Sequence, residues 1–590
     1  HPQLWGGVEC TVNRVGDLYR DQVKLSGHEH RLDDLERFSE LGISALRYPV
    51  LWERISPDSP DLCQWEWTDE RLPRLRDLGV NVIAGLIHHG SGPRYTSLID
   101  DGFASGLARH AANVARRYPW ITDWTPVNEP VTTARFAALY GHWHPHLKSE
   151  RAFWIALLNQ IDATRLAMRA IRQVVPAARL IQTDDLGRTY ATATLREQAW
   201  FDNQRRWAGW DMLCGRMTPD HPCWRRIAEQ GLEDRLRAML DDPYPPDVIG
   251  INHYLTSDRF LDHRLQRYPR QSHGGSDTQA FADVEAVRVL DPPSQGLEGA
   301  LREAWGRYRI PLAVTEVQNG CTREEQLRWT AQAWDTAVRM NEQGVPVRAV
   351  TIWSLLGNSG WNTLLTRRGT YEAGAWDVSS GSPRPTAMVA LAKALSGGAG
   401  RHQLTTGAGW WQRPVRIAHP PVARPAPIRE HAAAPRDMSA RPLLICGATG
   451  TLGQAMAGAC ALRNIPFILT KRSELDLADI RGIENALDRL QPWAVVNAAG
   501  WVRVDEAEAA QAPCLLANAH GAVALAAACD RRDLPTLSFS SDLVFDGRKG
   551  APYVETDAVG PCNIYGRSKA EMEAGMARLE GRHLLIRTAA

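Results

Sequence analysis

The sequence has almost no net charge: 68 Lys and Arg stand against 67 Asp and Glu, leaving +1. So balanced a chain has no bulk attraction to nucleic acid or to an acidic membrane surface, and neither partner is expected. It also lacks clustered cysteine. Its ten cysteines are scattered with no C-x-x-C pair, which argues against a zinc ribbon or a disulfide framework and for free thiols in a reducing cytoplasm. No apolar run is read as reaching membrane-spanning length. The first residue is His1 rather than Met, so a signal peptide, which is not among these residues, stays open, and no internal repeat is visible. What the chain does have is length and tryptophan. At 590 residues and 44% hydrophobic composition it suits two or more globular domains. Its 22 tryptophans lean toward carbohydrate, because indole faces stack on sugar C–H surfaces, although core packing is the commoner use.

Up to about residue 398, short apolar runs alternate with amphipathic ones. Strand-like runs lie at 42–48, 80–87, 180–183, 248–252, 312–315 and 349–353. Helix-like stretches lie at 31–41, 103–118, 152–175 and 323–342. Repeated β-then-α over this length predicts an α/β fold, a (β/α)8 TIM barrel over 1–398 with long loops. Residues 399–440 turn rich in Pro, Ala and Arg with no hydrophobic period, which predicts a semi-rigid linker. Trp410 and Trp411 are placed to pin its start to a neighbouring surface. From 441 to 590 a strand, a glycine turn and a helix begin a second α/β pattern, a Rossmann-type doubly wound domain.

Two glutamates carry the first chemical signal. TPVNEP (125–130) and VTEVQNG (314–320) each place a Glu after a predicted strand, Glu129 and Glu316. Barrel strand ends face the catalytic mouth, and two carboxylates there suit glycoside hydrolysis, one as acid, the other attacking or activating water. Taken singly, each is more often a solvated or ion-paired side chain.

These segments resemble the acid/base and nucleophile motifs of glycoside hydrolase family 1, the second stretched to Thr315-Glu316-Val317-Gln318-Asn319-Gly320. Further segments match in order: ALRYPVLWERISP (45–57), LIHHG (86–90), GINHY (250–254) and TIWSLLGNSGW (351–361). The resemblance implies a retaining β-glycosidase needing no cofactor. Glu129 would be acid/base and Glu316 nucleophile, their carboxyls about 5–5.5 Å apart. Asn128 would hold the sugar 2-hydroxyl and His88 other hydroxyls. Arg47 would sit beside Glu316 and lower its pKa, Tyr254 would donate to it, Asn252 would line the site, and Trp353 and Trp361 would be sugar platforms. Two positions depart from the family. Asn13 stands for its sugar-binding Gln, and Gly360 for the Glu that grips distal hydroxyls. An unusual glycone is therefore expected, a deoxy sugar or one with a bulky or charged substituent, with Glu372 a candidate substitute carboxylate.

The second signal is a dinucleotide fingerprint. LLICGATGTLG places Gly447, Gly450 and Gly453 between a strand and a helix, where backbone can approach a pyrophosphate at a helix N-terminus. Lys471 and Arg472 follow the second strand and suit a 2′-phosphate, so NADPH is preferred over NADH; Asp476 and Asn497 complete the candidate cofactor positions. Tyr565 and Lys569 form Y-x-x-x-K on a predicted helix, with the amine placed to lower the phenol pKa, and Ser541 ends a strand beside them. The segments at 495–508, 539–547 and 561–569 resemble the dTDP-4-dehydrorhamnose reductase group of the extended short-chain dehydrogenases. That resemblance implies hydride transfer to a 4-keto sugar nucleotide, with Tyr565 as proton donor. Leu543 stands where the group has Tyr. The chain stops at Ala590, where the group continues, so this domain is expected to be incomplete at its C-terminus.

His142, His144 and His146 alternate in GHWHPH, but a barrel-mouth loop is favoured over a metal site, and no metal is expected. Three readings stay open: a glycosidase fused to a reductase-like domain, a reductase with an accessory barrel, and a non-catalytic carbohydrate-binding or scaffold protein. Small-molecule glycosides or sugar nucleotides are the expected partners, and a homo-oligomer is left open.

Overall fold

The computed structural model describes residues 1–276, 279–318, 320–398, 405–424, 441–462 and 465–588. They divide into two compact units, one lying before residue 430 and one after it apart from a short loop.

The first unit is a closed barrel of eight parallel strands: β1 (Gln3–Gly7), β2 (Ala45–Pro49), β3 (Asn81–His88), β4 (Asp123–Asn128), β5 (Arg179–Asp185), β6 (Val248–Asn252), β7 (Leu312–Val317) and β8 (Val347–Ile352). Each pairs with its neighbours in chain order, and β8 closes on β1 with Trp5 beside Thr351. β2, β4, β6 and β7 are buried along their whole length, because a parallel barrel is covered on both faces. Trp5, Ala45, Ile83, Ile181, Val248, Ala313 and Ala349, one from each of seven strands, form a single apolar cluster. It fills the barrel near the strand starts, so polar chemistry is left to the carboxyl ends. Outside run α1 (Phe103–Arg117), α2 (Glu150–Val174) and α3 (Arg323–Glu342). α1 buries Phe103, Leu107, Ala111 and Val114, a helical stripe, and Ser149 caps α2 by accepting from the Ala152 amide. The helix expected at 31–41 is shorter, Asp34–Ser39.

The linker reading of 399–440 needs correction. Residues 405–424 pack on the barrel unit. The Trp411 indole lies edge-on to Trp329 and donates to Gln332 at 2.8 Å. The Arg288 guanidinium covers Trp410 at 3.8 Å, and Val422–Ala423 pairs with Leu290–Asp291. Buried Arg416 donates to the Leu290 carbonyl at 2.8 Å. Apolar and hydrogen-bonding anchors spaced along a proline-rich segment make it a strap; its two tryptophans stood out in the sequence, and composition hid the Arg416 anchor and the Val422–Ala423 pairing. The rest of that stretch lies outside the described residues, as does Asn319.

The second unit holds a five-stranded parallel sheet: β9 (Leu443–Cys446), β10 (Phe467–Thr470), β11 (Ala494–Asn497), β12 (Thr536–Ser541) and β13 (His583–Thr588), in the order β10-β9-β11-β12-β13. The order reverses between β9 and β11, which opens a crevice at their carboxyl ends. Helices α4 (Thr451–Leu462), α5 (Ile480–Leu490), α6 (Gln511–Asp530) and α7 (Ile564–Met576) flank it. α6 corrects a second expectation, since by length and composition it could cross a membrane. In the fold Ala519, Ala522, Leu525, Ala526 and Cys529 are buried in the core, while Asn518 bonds to Ser568, so it is a core helix.

Candidate active site

The barrel's polar side chains converge at the carboxyl ends of its strands. Arg47 leaves β2, His88 ends β3, Asn128 ends β4 with Glu129 next, Asn252 ends β6, Glu316 lies in β7 and Trp353 follows β8. Glu129 takes a left-handed backbone (φ +48), strained for a residue with a Cβ. Two anchors hold it there. Its amide donates to the Thr183 carbonyl at 3.1 Å, and Asp184 accepts from the Val131 amide at 3.0 Å in the first turn of the helix that follows.

Arg47 is the hub. It donates to Glu316 Oε1 at 2.9 Å, to the Thr315 carbonyl at 2.8 Å and to Asn128 Oδ1 at 2.7 Å. Glu316 Oε2 accepts from the Tyr254 phenol. Glu129 Oε1 accepts from Asn252 Nδ2 at 2.6 Å, while Asn252 Oδ1 accepts from the Thr315 hydroxyl at 2.6 Å. One amide side chain thus ties the acid/base candidate to the residue before the nucleophile candidate. The His88 ring stacks on Trp353 at 5.3 Å, and its Nε2 lies 3.3 Å from Asn128 Nδ2. Trp361 meets His89 edge-on, and its indole donates to Glu9 Oε2 at 2.9 Å.

Burial pushes both glutamates up. Glu129 is raised well above the carboxylate range, and the charge of Glu316 adds to its desolvation. Glu316 rises to about 7, burial outweighing the opposing Arg47 charge and the Tyr254 bond. The expectation that Arg47 sets the net direction is therefore corrected: Arg47 does lower this pKa, but desolvation of a carboxyl only 2% exposed is larger. Only Glu316 has a cation in contact, so the proton of the pair resides on Glu129. Burial, then the Arg47 charge, pushes His89 down to about 3, and His88 also falls, so both rings are neutral at pH 7.

The departures are visible. Gly360 has φ +95, a conformation closed to a glutamate side chain without strain. Glu372 accepts from Gln318 at 3.2 Å, on the loop after β7. The carboxylate bonded to Trp361 is Glu9 instead. Asn13 is fully buried, donates to the Leu365 carbonyl at 3.4 Å and leaves its Oδ1 without a partner among the described residues. His146 is braced by the Gly16 amide and the Gly141 carbonyl, and His144 meets Arg14. Among the described residues no group of three His, Cys, Asp or Glu is arranged to hold a metal.

In the second unit, Gly447 has φ +103, and a Cβ there would lie 2.6 Å from the Ala498 carbonyl oxygen. A Cβ at Gly453 would lie 2.1 Å from the Gly447 oxygen. Both glycines are fixed by packing. Gly450 is different: a Cβ there would make only ordinary contacts, the nearest at 3.6 Å. Its missing side chain leaves backbone open at the start of α4, as a pyrophosphate would need, so the turn fits a dinucleotide. Arg472 pairs with Asp476 at 3.1 Å, Asp476 also accepts from the Ala478 amide, and the Lys471 amide donates to Glu474. Asn497 accepts from the Ala499 amide at 3.2 Å. Asp476 and Asn497 thus brace their own turns.

Lys569 Nζ donates to the Phe539 carbonyl of β12 at 2.9 Å, which brings α7 against Ser541. The ammonium sits 5.9 Å from the Tyr565 ring centre. Burial raises the Tyr565 phenol and lowers Lys569 to about 8. The expectation of a lowered phenol pKa is corrected, because burial of the phenol outweighs any help from the amine. The Ser541 hydroxyl donates to Asp542 at 3.0 Å and accepts from the Leu543 amide at 3.2 Å.

Residues 441–590 match the family model described as the RmlD substrate binding domain. The chain carries an RmlD-type domain. Over 147 residues it is 37% identical to a dTDP-4-keto-6-deoxy-D-glucose reductase from Streptomyces niveus and 35% identical to a dTDP-4-dehydrorhamnose reductase from Aggregatibacter actinomycetemcomitans, covering 25% of this chain and 51% and 50% of theirs. The chain spans about half the length of the curated relatives it matches. The barrel is similar in fold to a β-glucosidase from Thermotoga maritima solved with deoxynojirimycin (TM-score 0.53, 15% identity, 67% of this chain and 98% of that one). The same enzyme with noeuromycin gives TM-score 0.54 at 14% identity, over 68% and 98%. The chain therefore holds both a barrel similar in fold to a β-glucosidase and the RmlD-type domain.

Sequence reasoning missed Glu9, His89, Thr183, Asp184 and Thr315. Glu9 had a weak signal, an acid two residues past the first apolar run. Thr183, Asp184 and Thr315 make their contacts only when β4, β5, β6 and β7 come side by side, and His89, just after β3, only when Trp143 and Trp361 meet it.

Proposed function

We propose that the barrel is a retaining β-glycosidase, with Glu316 as nucleophile and Glu129 as acid/base. The observation that carries this is the asymmetry of the pair: Glu316 is held by Arg47 and Tyr254, while Glu129 has no cation and keeps the proton. Glu316 attacks the anomeric carbon as the bond to the aglycone oxygen breaks, and that oxygen takes the proton of Glu129. Glu129, now a base, removes a proton from water, which attacks the anomeric carbon and releases Glu316 with net retention. Another alcohol can replace water in the second step. Asn128, fixed by Arg47 and Thr183, is poised for the 2-hydroxyl. A panel of aryl β-glycosides tests this. Hydrolysis should be lost in Glu316→Gln; unchanged turnover in that variant would sink the assignment.

For the RmlD-type domain we propose an NAD(P)-dependent reductase chemistry on a sugar nucleotide, as the names of its relatives suggest. A reduced nicotinamide supplies hydride when bound. Gly447, Gly450 and Gly453 would hold its pyrophosphate, and Lys471 and Arg472 favour the 2′-phosphate of NADPH. Tyr565 would give the proton to the carbonyl oxygen, Ser541 would orient that oxygen, and Lys569 would position the helix. The ten free thiols suit a reducing cytoplasm.

A further inference from the structure

We propose that Asp185 is a positioning residue for the nucleophile: by way of Ser257 it pins the loop that carries Tyr254, so that the phenol stays on Glu316. The inference rests on the glycosidase reading of the barrel and deepens it.

Tyr254 stands on a loop, two residues past the end of β6, so the place of its phenol depends on what holds that loop. Ser257 closes a turn on it from two sides. The Ser257 amide donates to the Tyr254 carbonyl at 3.0 Å, and the Ser257 hydroxyl accepts from the Tyr254 amide at 2.9 Å. The same hydroxyl gives its one proton to Asp185 Oδ1 at 2.6 Å. A hydroxyl has a single donor and two acceptor lone pairs, so Asp185 fixes the rotor and leaves a lone pair turned to the Tyr254 amide. Asp185 is the last residue of β5 and stands opposite Asn252 in the register with β6. Its backbone is thus part of the barrel wall, while that of Tyr254 is not. The two loops touch: a Cβ at Gly187 would lie 1.9 Å from the Ser257 carbonyl oxygen. Other links across this seam flank the phenol. The Leu186 amide donates to the Asn252 carbonyl, the Leu186 carbonyl accepts from His253 Nδ1, and the Arg188 amide donates to Asp258. Among the described residues, only the link from Asp185 through Ser257 bears on the Tyr254 backbone itself.

The same carboxylate also faces the other glutamate. After burial and the charge of Glu316, the charges of Asp185 and then Asp184 raise Glu129. Burial raises Asp185 itself; the Ser257 bond, the His253 ring and the Arg135 guanidinium oppose that, and Asp258 adds to it. His89 faces Glu129 as well, with Nε2 3.8 Å from Oε2, while Arg47, Tyr254 and Glu9 face Glu316. Charge and hydrogen bond can therefore be removed separately. Asp185→Asn deletes the charge and keeps an oxygen that accepts from Ser257. Ser257→Ala keeps the charge and frees the loop. Asp185→Ala removes both.

The full chain is assayed across pH on the aryl β-glycoside of the panel that it hydrolyses best. Ser257→Ala should lower kcat on the order of 10-fold and move the acid limb upward, because the Tyr254 bond lowers the Glu316 pKa. Asp185→Asn should leave the acid limb in place and move the basic limb downward, because Glu129 loses a like charge. Asp185→Ala should move both limbs, in those same directions. In a Tyr254→Phe background Ser257→Ala should cost nothing more. A fall in kcat in Asp185→Ala with the acid limb unmoved, or a further loss on top of Tyr254→Phe, is what a merely structural role gives and would overturn the proposal. A readout without turnover separates it from the hydrolase reading: the NMR signal of the Tyr254 phenol carbon in tyrosine-labelled protein, identified by its loss in Tyr254→Phe. Movement of that signal in Ser257→Ala and Asp185→Ala but not in Asp185→Asn, in a protein that hydrolyses no glycoside, would keep the pin and remove the hydrolase reading. A signal that is the same in wild type, Ser257→Ala and Asp185→Ala would remove the pin whether or not the protein is active.

Discussion

The two candidate sites are held in opposite ways. In the barrel, side chains that would meet the substrate hold one another: Arg47 grips Glu316 and Asn128, Tyr254 grips Glu316, and Asn252 grips Glu129. In the RmlD-type domain the corresponding groups are held by backbone or by their own turns: Lys569 by the Phe539 carbonyl, Asn497 by the Ala499 amide, Ser541 by the Leu543 amide. The difference follows from the chemistry proposed for each. Glycoside cleavage is done by side-chain carboxyls, so their protonation must be set by neighbouring side chains. Hydride chemistry belongs to a cofactor, so the protein's task is to shape backbone against it.

The sharpest way to break this contrast is to remove the barrel's hub. Arg47→Met keeps the stem length but leaves Glu316 and Asn128 without their donor. A fall in kcat on the order of 10²- to 10³-fold is expected, in the range of a lost electrostatic stabiliser. The pH profile adds a specific sign. Glu316 must be ionised to attack, so activity in the wild type should fall as pH drops through about 7. Arg47 lowers that pKa, so its loss should move the acid limb upward. An acid limb that stays in place would show that Arg47 does not tune the nucleophile.

The glycine turn sharpens the other side. Gly447→Ala forces a Cβ into the Ala498 carbonyl at positive φ, and should destabilise the RmlD-type domain by roughly 1–3 kcal/mol. Gly450→Ala meets no such contact. Its stability should hold within about 0.5 kcal/mol, while NADPH binding weakens by an expected order of magnitude in titration. Equal stability losses in the two variants would mean that Gly450 is packed for structure, not left open for a ligand.

Both folds were legible because their signals are local. A strand followed by a glycine turn and a helix, or an apolar run ending in Asn-Glu-Pro, needs no tertiary information. The residues at the barrel mouth were legible for the same reason, each standing at the end of a short run. What was hidden depends on distance in the chain. Glu9 is joined to Trp361, and Asn13 to Leu365, across some 350 residues. The strap at 405–424 was read as linker although Trp410 and Trp411 were seen as pins at its start, because Arg416 is isolated among prolines and only Leu290 gives it meaning. The net pKa directions of Glu316 and Tyr565 were misjudged because sequence names the neighbouring charge but not the depth of burial.

A last comparison separates the two units by the sign of their response to pH. Glu316 carries a folded pKa near 7 against an unfolded value of 4.5. Between those values the folded barrel binds more protons than the unfolded chain, so this group makes the barrel less stable as pH rises from about 4.5 to 7. Lys569 is lowered to about 8 from 10.5 by burial. From about 8 to 10.5 the unfolded chain binds more protons, so the RmlD-type domain gains stability over that window and lacks the gain below it. Each contribution is a few kcal/mol at most. Chemical denaturation can follow the units separately, because only Trp493 and Trp501 of the 22 tryptophans lie in the RmlD-type domain, leaving barrel unfolding to dominate the fluorescence. Glu316→Gln should flatten the acid-side slope of the barrel transition and leave the alkaline behaviour of the other unit alone. Lys569→Met should do the reverse. Slopes of the same sign in both windows, or variants that flatten neither, would show that these two buried groups do not govern the pH response of their domains.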